Sequence, residues 1–180
     1  MKLNIHKLIH PIIQKLAYEI IYQKPQTVDQ EKILGMLIFY ETLRKWVKID
    51  NIYIKKVDVL KESYFSNQLD KYLIITNIIE CYNILADVKR ILPQSYIKHI
   101  ELDKINNIFS YKQKLEEYKI IIFEKFLKKH GIISIINYLQ KHHITNLNDV
   151  KIICITCNNN ILKYIAHKYP QLNIYTTKII

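Results

Sequence analysis

Short runs of β-branched and aromatic residues alternate with helical segments along the last two thirds of the chain. The runs predicted as strands are YLIIT (72–76), YIKHIEL (96–102), KIIIF (119–123), KIICIT (151–156) and NIYT (173–176). The segments predicted as helices between them are 78–92, 132–141 and 161–169. Strands separated by helices of about 10–15 residues are typical of a parallel sheet covered on both faces. The alternation therefore predicts an α/β fold.

The first fifty residues have a helical pattern instead. Apolar residues recur at helical spacing after Pro11, which is well suited to a first helical turn. A second helix is predicted after Asp29, a candidate N-cap. A length of 180 residues is typical of one domain. We predict a single domain, residues 1–180, with a helical N-terminal segment at 1–50 and an α/β core at 51–180.

The net charge of +11 comes almost entirely from lysine, since only Arg44 and Arg90 are arginines. A basic chain raises the hypothesis of a nucleic-acid-binding protein. Arginine, however, is the preferred residue for bidentate contacts with phosphates and bases. The alternative is a genome rich in A and T, whose codons favour the Ile, Lys, Asn and Tyr of this chain. We favour that alternative, and expect a protein made inside a plastid (chloroplast) rather than in the cytoplasm of an AT-rich organism.

Three cysteines do not form a disulfide framework, which indicates a reducing compartment. Cys154 and Cys157 form a C-x-x-C motif with His142 and His143 upstream, which suggests a metal or redox site. A single C-x-x-C is weak support, and we favour a structural role. No apolar run approaches the roughly 18 residues of a membrane span, and the N-terminus has neither the apolar core of a signal peptide nor the composition of a transit peptide. We expect no membrane partner.

Four stretches in a consistent order carry a resemblance to a known family. They are HPIIQKL (10–16), LGMLIFYETLR (34–44), LPQSYIKHIEL (92–102) and the stretch from VKIICITC to NIYT (150–176). They resemble the uracil phosphoribosyltransferases, whose early helix reads G-M-L-L-x-Y-E-A-T-R. The resemblance implies the type I phosphoribosyltransferase fold. It also implies pyrimidine salvage, in which uracil and phosphoribosyl pyrophosphate (PRPP) give UMP and pyrophosphate with magnesium.

The PRPP signature of that family, V-V-D-P-M-L-A-T-G-G-S, corresponds here to a stretch that begins IFEKFLKKHG. The resemblance makes Glu124 the acid that would hold the ribose hydroxyls, beyond the end of a strand. Lys128 and Lys129 replace small residues, His130 replaces the first glycine, and Gly131 remains. Because such loops bind phosphate through backbone N–H groups, these side chains would crowd the approach. The alternative is a solvated basic turn, which we favour.

The other ligand segments also depart from the family pattern. In the pyrophosphate loop, I-L-R-A-G, the arginine becomes Ile79, the alanine Glu80 and the glycine Cys81. The mobile loop corresponds to residues 102–113 and lacks its arginine, with Lys104 the nearest basic residue. The glycine-rich segment that recognises uracil lies beyond the last matching residues, so the sequence predicts a C-terminally truncated homolog.

Three hypotheses follow. The one we favour is a uracil phosphoribosyltransferase homolog with degraded ligand motifs, a pseudoenzyme with little or no activity and no cofactor. The second is an active transferase with altered loops, which would use Mg²⁺. The third is a basic nucleic-acid-binding protein. The family resemblance also implies a homo-oligomer, and the lysines leave a small anionic ligand open.

Overall fold

The computed structural model describes residues 3–23, 27–47, 49–56, 59–66, 70–100, 115–128, 131–141 and 147–180. Residues 102–113, Lys129, His130, His142 and His143, which the sequence analysis singled out, lie outside these ranges. Among the described residues, no helix is long and apolar enough to cross a membrane.

Six helices and eight strands make up the described fold. The helices are α1 (Pro11–Tyr22), α2 (Val28–Leu43), α3 (Ile78–Leu85), α4 (Val88–Ile91), α5 (Gly131–Lys141) and α6 (Asn159–Lys168). The strands are β1 (Asn4–Lys7), β2 (Ile49–Lys56), β3 (Val59–Ser66), β4 (Lys71–Thr76), β5 (Ser95–His99), β6 (Tyr118–Leu127), β7 (Val150–Cys157) and β8 (Asn173–Ile179).

Six of the strands form one parallel sheet in the order β1-β8-β7-β6-β4-β5, and β2 and β3 form a separate antiparallel hairpin. Side chains alternate between the two faces of the sheet, as the geometry of strands requires. Ile120, Ile122 and Ile152 pack with α5 and α6 on one face. Ile121 and Ile153 pack with α1, α2 and α3 on the other. The predicted α/β fold, a parallel sheet flanked by helices with helices near the N-terminus, is confirmed.

The N-terminal segment contributes a strand as well as two helices. Strand β1, at the edge of the sheet, pairs with β8 and was not predicted. Its four residues are all exposed, so no apolar alternation marks them. Helix α2 begins with a capping box in which Thr27 and Gln30 bond each other's backbone N–H groups. Thr27, rather than the predicted Asp29, is therefore the N-cap.

Gly35 allows α2 to lie directly against α3. A Cβ atom built at this glycine would stand 1.9 Å from the carbonyl oxygen of Ile84. Any side chain would force the two helices apart, since real Cβ atoms do not approach an oxygen that closely. The glycine of the early helix is thus required by helix packing.

Two boundaries differ from the sequence prediction in ways that matter for the site. The predicted helix 78–92 is divided into α3 and the short α4. The strand predicted at 119–123 continues through Leu127, because Phe126 and Leu127 pair with Thr156 and Cys157 of β7. Glu124 therefore lies within a strand, and not beyond its end as expected.

Candidate functional site

The carboxyl edge of the sheet is where ligands bind in open α/β folds. Here β4, β6 and β7 end at Thr76, Leu127 and Cys157. Helices α3, α5 and α6 begin close to these strand ends, at Ile78, Gly131 and Asn159. Helix N-termini carry free backbone N–H groups and attract anions. The question at this edge is which of these donors remain available to a ligand.

Glu124 is buried rather than displayed at this edge. It lies opposite Cys154 in the β6–β7 ladder and its side chain is only 8% exposed. Burial raises the pKa of the Cys81 thiol, and the carboxylates of Glu80 and Glu124 add to that increase. Alternation along β6 places the Glu124 side chain on the same face as Ile120 and Ile122, the face covered by α5 and α6. A carboxylate in this position is poorly placed to accept hydrogen bonds from the hydroxyls of a ligand in solvent.

The residue after Glu124 is ion-paired with a neighbouring helix. The ammonium of Lys125 forms an ion pair with Glu31 of α2, and both side chains are largely buried. Glu31 stands in the first turn of α2, where its charge also suits the helix dipole. The cation nearest to Glu124 in the chain thus joins α2 to β6.

Lys128 and Gly131 flank the turn that the family pattern assigns to phosphate. Lys128 is exposed, and its ammonium stands 5.1 Å from the centre of the Phe126 ring. Gly131 is the first residue of α5. Lys129 lies between them, outside the described residues. The role of Glu124, Lys128, Lys129 and Gly131 in binding PRPP remains a prediction.

The first turn of α3 contains the residues that the sequence resemblance assigns to the pyrophosphate loop. Ile79 is 79% exposed there, and Glu80 beside it is also exposed. The N–H of Ile78 donates to Nδ1 of His99 over 3.1 Å, and the N–H of Ile79 donates to Oδ1 of Asn77 over 3.2 Å. This helix start therefore presents an apolar side chain and a carboxylate, and two of its backbone donors are already used.

The start of α6 is closed in a similar way. Oδ1 of Asn158 accepts the N–H of Asn160 over 2.8 Å, and the carbonyl of Ile180 accepts the N–H of Asn159 over 2.9 Å. Asn158 itself donates its backbone N–H to the carbonyl of Leu127. Two of the three helix starts at this edge are thus capped by groups of the protein.

These caps were not identified as site residues from the sequence. Asn77 and Asn158 each follow a strand directly and precede a helix, which is a recognisable N-cap signal. His99 has no such signal, because its contact with Ile78 depends on the pairing of β5 with β4. The sequence could therefore have predicted two of these caps but not the third.

The cysteines are buried thiols. A hydrogen bond with Cys157, followed by burial, raises the pKa of Cys154, and the same hydrogen bond lowers the pKa of Cys157. Within the described ranges, no group of three or more His, Cys, Asp and Glu side chains could hold a metal ion.

No protein-family model matches the chain. A "Uracil phosphoribosyltransferase homolog" from Porphyra purpurea is 29% identical over 183 residues, which cover 99% of this chain and 89% of that protein. A second protein of the same name, from Pyropia yezoensis, is 26% identical over 187 residues with the same coverage. This chain is a homologue of both proteins. The resemblance drawn from the four sequence stretches is thereby confirmed.

The fold has a close counterpart among solved structures. The AQ2163 protein of Aquifex aeolicus superposes with a TM-score of 0.71 over 97% of this chain and 86% of its own. Its sequence identity to this chain is 16%, so the likeness concerns the fold alone. The similarity to phosphoribosyltransferase homologs rests on the two relatives.

Proposed function

We propose that this chain is a phosphoribosyltransferase-like protein that keeps the scaffold of its family but does not catalyse the formation of UMP from uracil and PRPP. The observation that carries this proposal is the closed first turn of α3. Asn77 and His99 hold two backbone donors, and Ile79 stands where the family pattern has an arginine.

The chemistry explains why this turn matters. In a phosphoribosyl transfer, negative charge accumulates on the departing pyrophosphate, and preorganised donors and cations must stabilise it. An exposed isoleucine supplies neither a charge nor a hydrogen bond, and the neighbouring carboxylate of Glu80 would repel the leaving group. Interactions made in the transition state, and not substrate binding alone, determine the rate.

The position of Glu124 supports the same proposal. A carboxylate that holds ribose hydroxyls must reach them from the sheet edge, whereas this one is buried within β6. Losing both the leaving-group site and the ribose site leaves little of the family's positioning of the substrate.

The direct test is an assay of UMP formation. Purified protein is incubated with uracil, PRPP and Mg²⁺, and UMP is quantified by chromatography against a reaction without protein. We expect no UMP above that background. Turnover within the usual enzyme range, about 1–10³ s⁻¹, would contradict the proposal and favour an active transferase with altered loops. An active uracil phosphoribosyltransferase in the same buffer, and a circular dichroism spectrum of this chain, control for the assay and for folding.

A further inference from the structure

The amino edge of the sheet, opposite the edge described above, carries an unusual group of lysines. Lys151, near the start of β7, donates to the carbonyl of Thr42 over 2.6 Å. Lys119 of β6 donates to the carbonyl of Trp46 over 3.4 Å and lies 2.6 Å from a carboxylate oxygen of Asp70. Both lysines thus stabilise the C-terminal end of α2, where unpaired carbonyl groups carry partial negative charge.

Lys151 is buried without losing its polar surroundings. Only 3% of the residue is exposed to solvent. Its ammonium stands 4.1 Å from the ring centre of Trp46 and 4.9 Å from that of Tyr175. Burial lowers the pKa of Lys151 to about 8, and the positive charges of Lys119 and Lys45 contribute. Its ammonium donates to the neutral carbonyl of Thr42, so the positive charge of this region extends below the surface.

A cavity of about 370 Å³ opens beside this group, between β1 and the C-terminal end of α2. Thr42 and Tyr175, which both contact Lys151, form part of its wall. Three basic residues, Lys7, Arg44 and Lys45, also line it. The volume is within the range of about 300–1,000 Å³ that is usual for small-molecule sites.

The charges around the cavity favour an anion. Glu41 is the acidic residue in its lining, and its carboxylate is 3.6 Å from the guanidinium of Arg44. The lining therefore contains three basic residues and one acid, and that acid is close to one of the three. A guanidinium next to ammonium groups suits phosphate oxygens, which accept bidentate hydrogen bonds.

We propose that this cavity, beside the edge strand β1, binds a small phosphorylated anion. The proposal is independent of the inactivity of the carboxyl edge, because no residue of the cavity belongs to the family's ligand segments. It offers a scaffold of this family a ligand-binding role that does not require transfer chemistry.

The test measures the binding of inorganic pyrophosphate by isothermal titration calorimetry at low salt and without Mg²⁺. We expect one saturable site in the unaltered protein. The double variant Arg44→Gln/Lys45→Gln should bind at least about tenfold more weakly, since it loses two charge-assisted contacts. Both side chains are exposed, so the double variant should fold normally, which circular dichroism checks. The single tryptophan, Trp46, provides a second readout by fluorescence.

Two matched controls locate the site. Lys128→Gln neutralises a lysine at the carboxyl edge, and Lys163→Gln neutralises an exposed lysine of α6. Both variants should bind pyrophosphate as the unaltered protein does. Absence of saturable binding, or equal binding by the double variant, would overturn the proposal, as would a loss of binding confined to Lys128→Gln.

A further titration distinguishes a small anion from a nucleic acid. A single-stranded oligothymidylate of twelve residues presents phosphates along a backbone too long for the cavity. We expect the Arg44→Gln/Lys45→Gln change to weaken pyrophosphate much more than the oligonucleotide. Tight oligonucleotide binding that depends on Arg44 and Lys45, together with no binding of pyrophosphate, would contradict the proposal.

Discussion

Ile78 donates its backbone N–H to Nδ1 of His99 over 3.1 Å, so the end of β5 closes the start of α3. Asn77 accepts the next N–H group along the helix. An incoming phosphate would have to displace these acceptors before it could bind the N–H groups of Ile78 and Ile79. These two backbone donors at the carboxyl edge of the sheet therefore serve the fold.

The N-caps of α3 and α6 should contribute measurably to the free energy of unfolding. Asn77→Ala and Asn158→Ala should each lower the free energy of unfolding by about 1 kcal/mol, because each leaves a helix N–H group without its acceptor. Chemical denaturation measures the change. Asn160→Ala is the matched control, since Asn160 is exposed within α6 and its side chain is not the cap. Equal effects at Asn158 and Asn160 would show that the cap contributes nothing.

The close contact of α2 with α3 should not tolerate a side chain at Gly35. Gly35→Ala should destabilise the protein by about 1–3 kcal/mol, because the new methyl group would overlap the carbonyl of Ile84. Ile33→Ala, on the exposed side of α2, should have a much smaller effect. Thermal denaturation compares the two variants. A Gly35→Ala protein as stable as the parent would mean that α2 and α3 are less closely packed than described.

Substitutions at Lys125 and Glu31, which form an ion pair, should have strongly non-additive effects on stability. Glu31→Gln should cost about 3 kcal/mol, because it removes the carboxylate from a largely buried ammonium. The double variant Glu31→Gln/Lys125→Met should lose less than the sum of the two single changes. The exposed pair of Lys71 and Glu117 is the control, and Glu117→Gln should cost less than about 1 kcal/mol. Additive losses at Glu31 and Lys125 would contradict this account.

Lys151 predicts a dependence of stability on pH. Its pKa is lowered from 10.5 to about 8 in the folded protein, so the unfolded chain binds more protons between these values. The free energy of unfolding should therefore rise with pH across this window, through the contribution of this residue. Lys151→Met removes that contribution, and Lys163→Met, at an exposed site, should not. Parallel pH profiles for the parent and the Lys151→Met variant would exclude the lowered pKa.

The sequence predicts those helices and strands whose pattern of apolar residues lies within the element itself. The strands 72–76 and 151–156 and the helix 132–141 were predicted because their apolar residues repeat with the period of the element they form. Strand β1 was missed because its exposed residues acquire their structure only by pairing with β8. The hairpin of β2 and β3 was missed as well.

The candidate site shows the same division. The sequence alone shows Ile79 and Lys128 at positions where the family pattern has an arginine and a small residue. It does not show the burial of Glu124, because that depends on β6 continuing beside β7 as far as Leu127. Nor could the sequence bring Thr42, Tyr175 and Lys151 together, since their contact depends on how α2 crosses the sheet. Such long-range packing has no local pattern.

The central claim is that the carboxyl edge no longer holds PRPP in a productive position. Crystals grown with PRPP and Mg²⁺ test it most directly. We predict no ordered PRPP between Glu124 and the first turn of α3, with Asn77 and His99 still bonded to that turn. A PRPP molecule whose ribose hydroxyls contact Glu124 and whose pyrophosphate contacts the N–H groups of Ile78 and Ile79 would contradict the account.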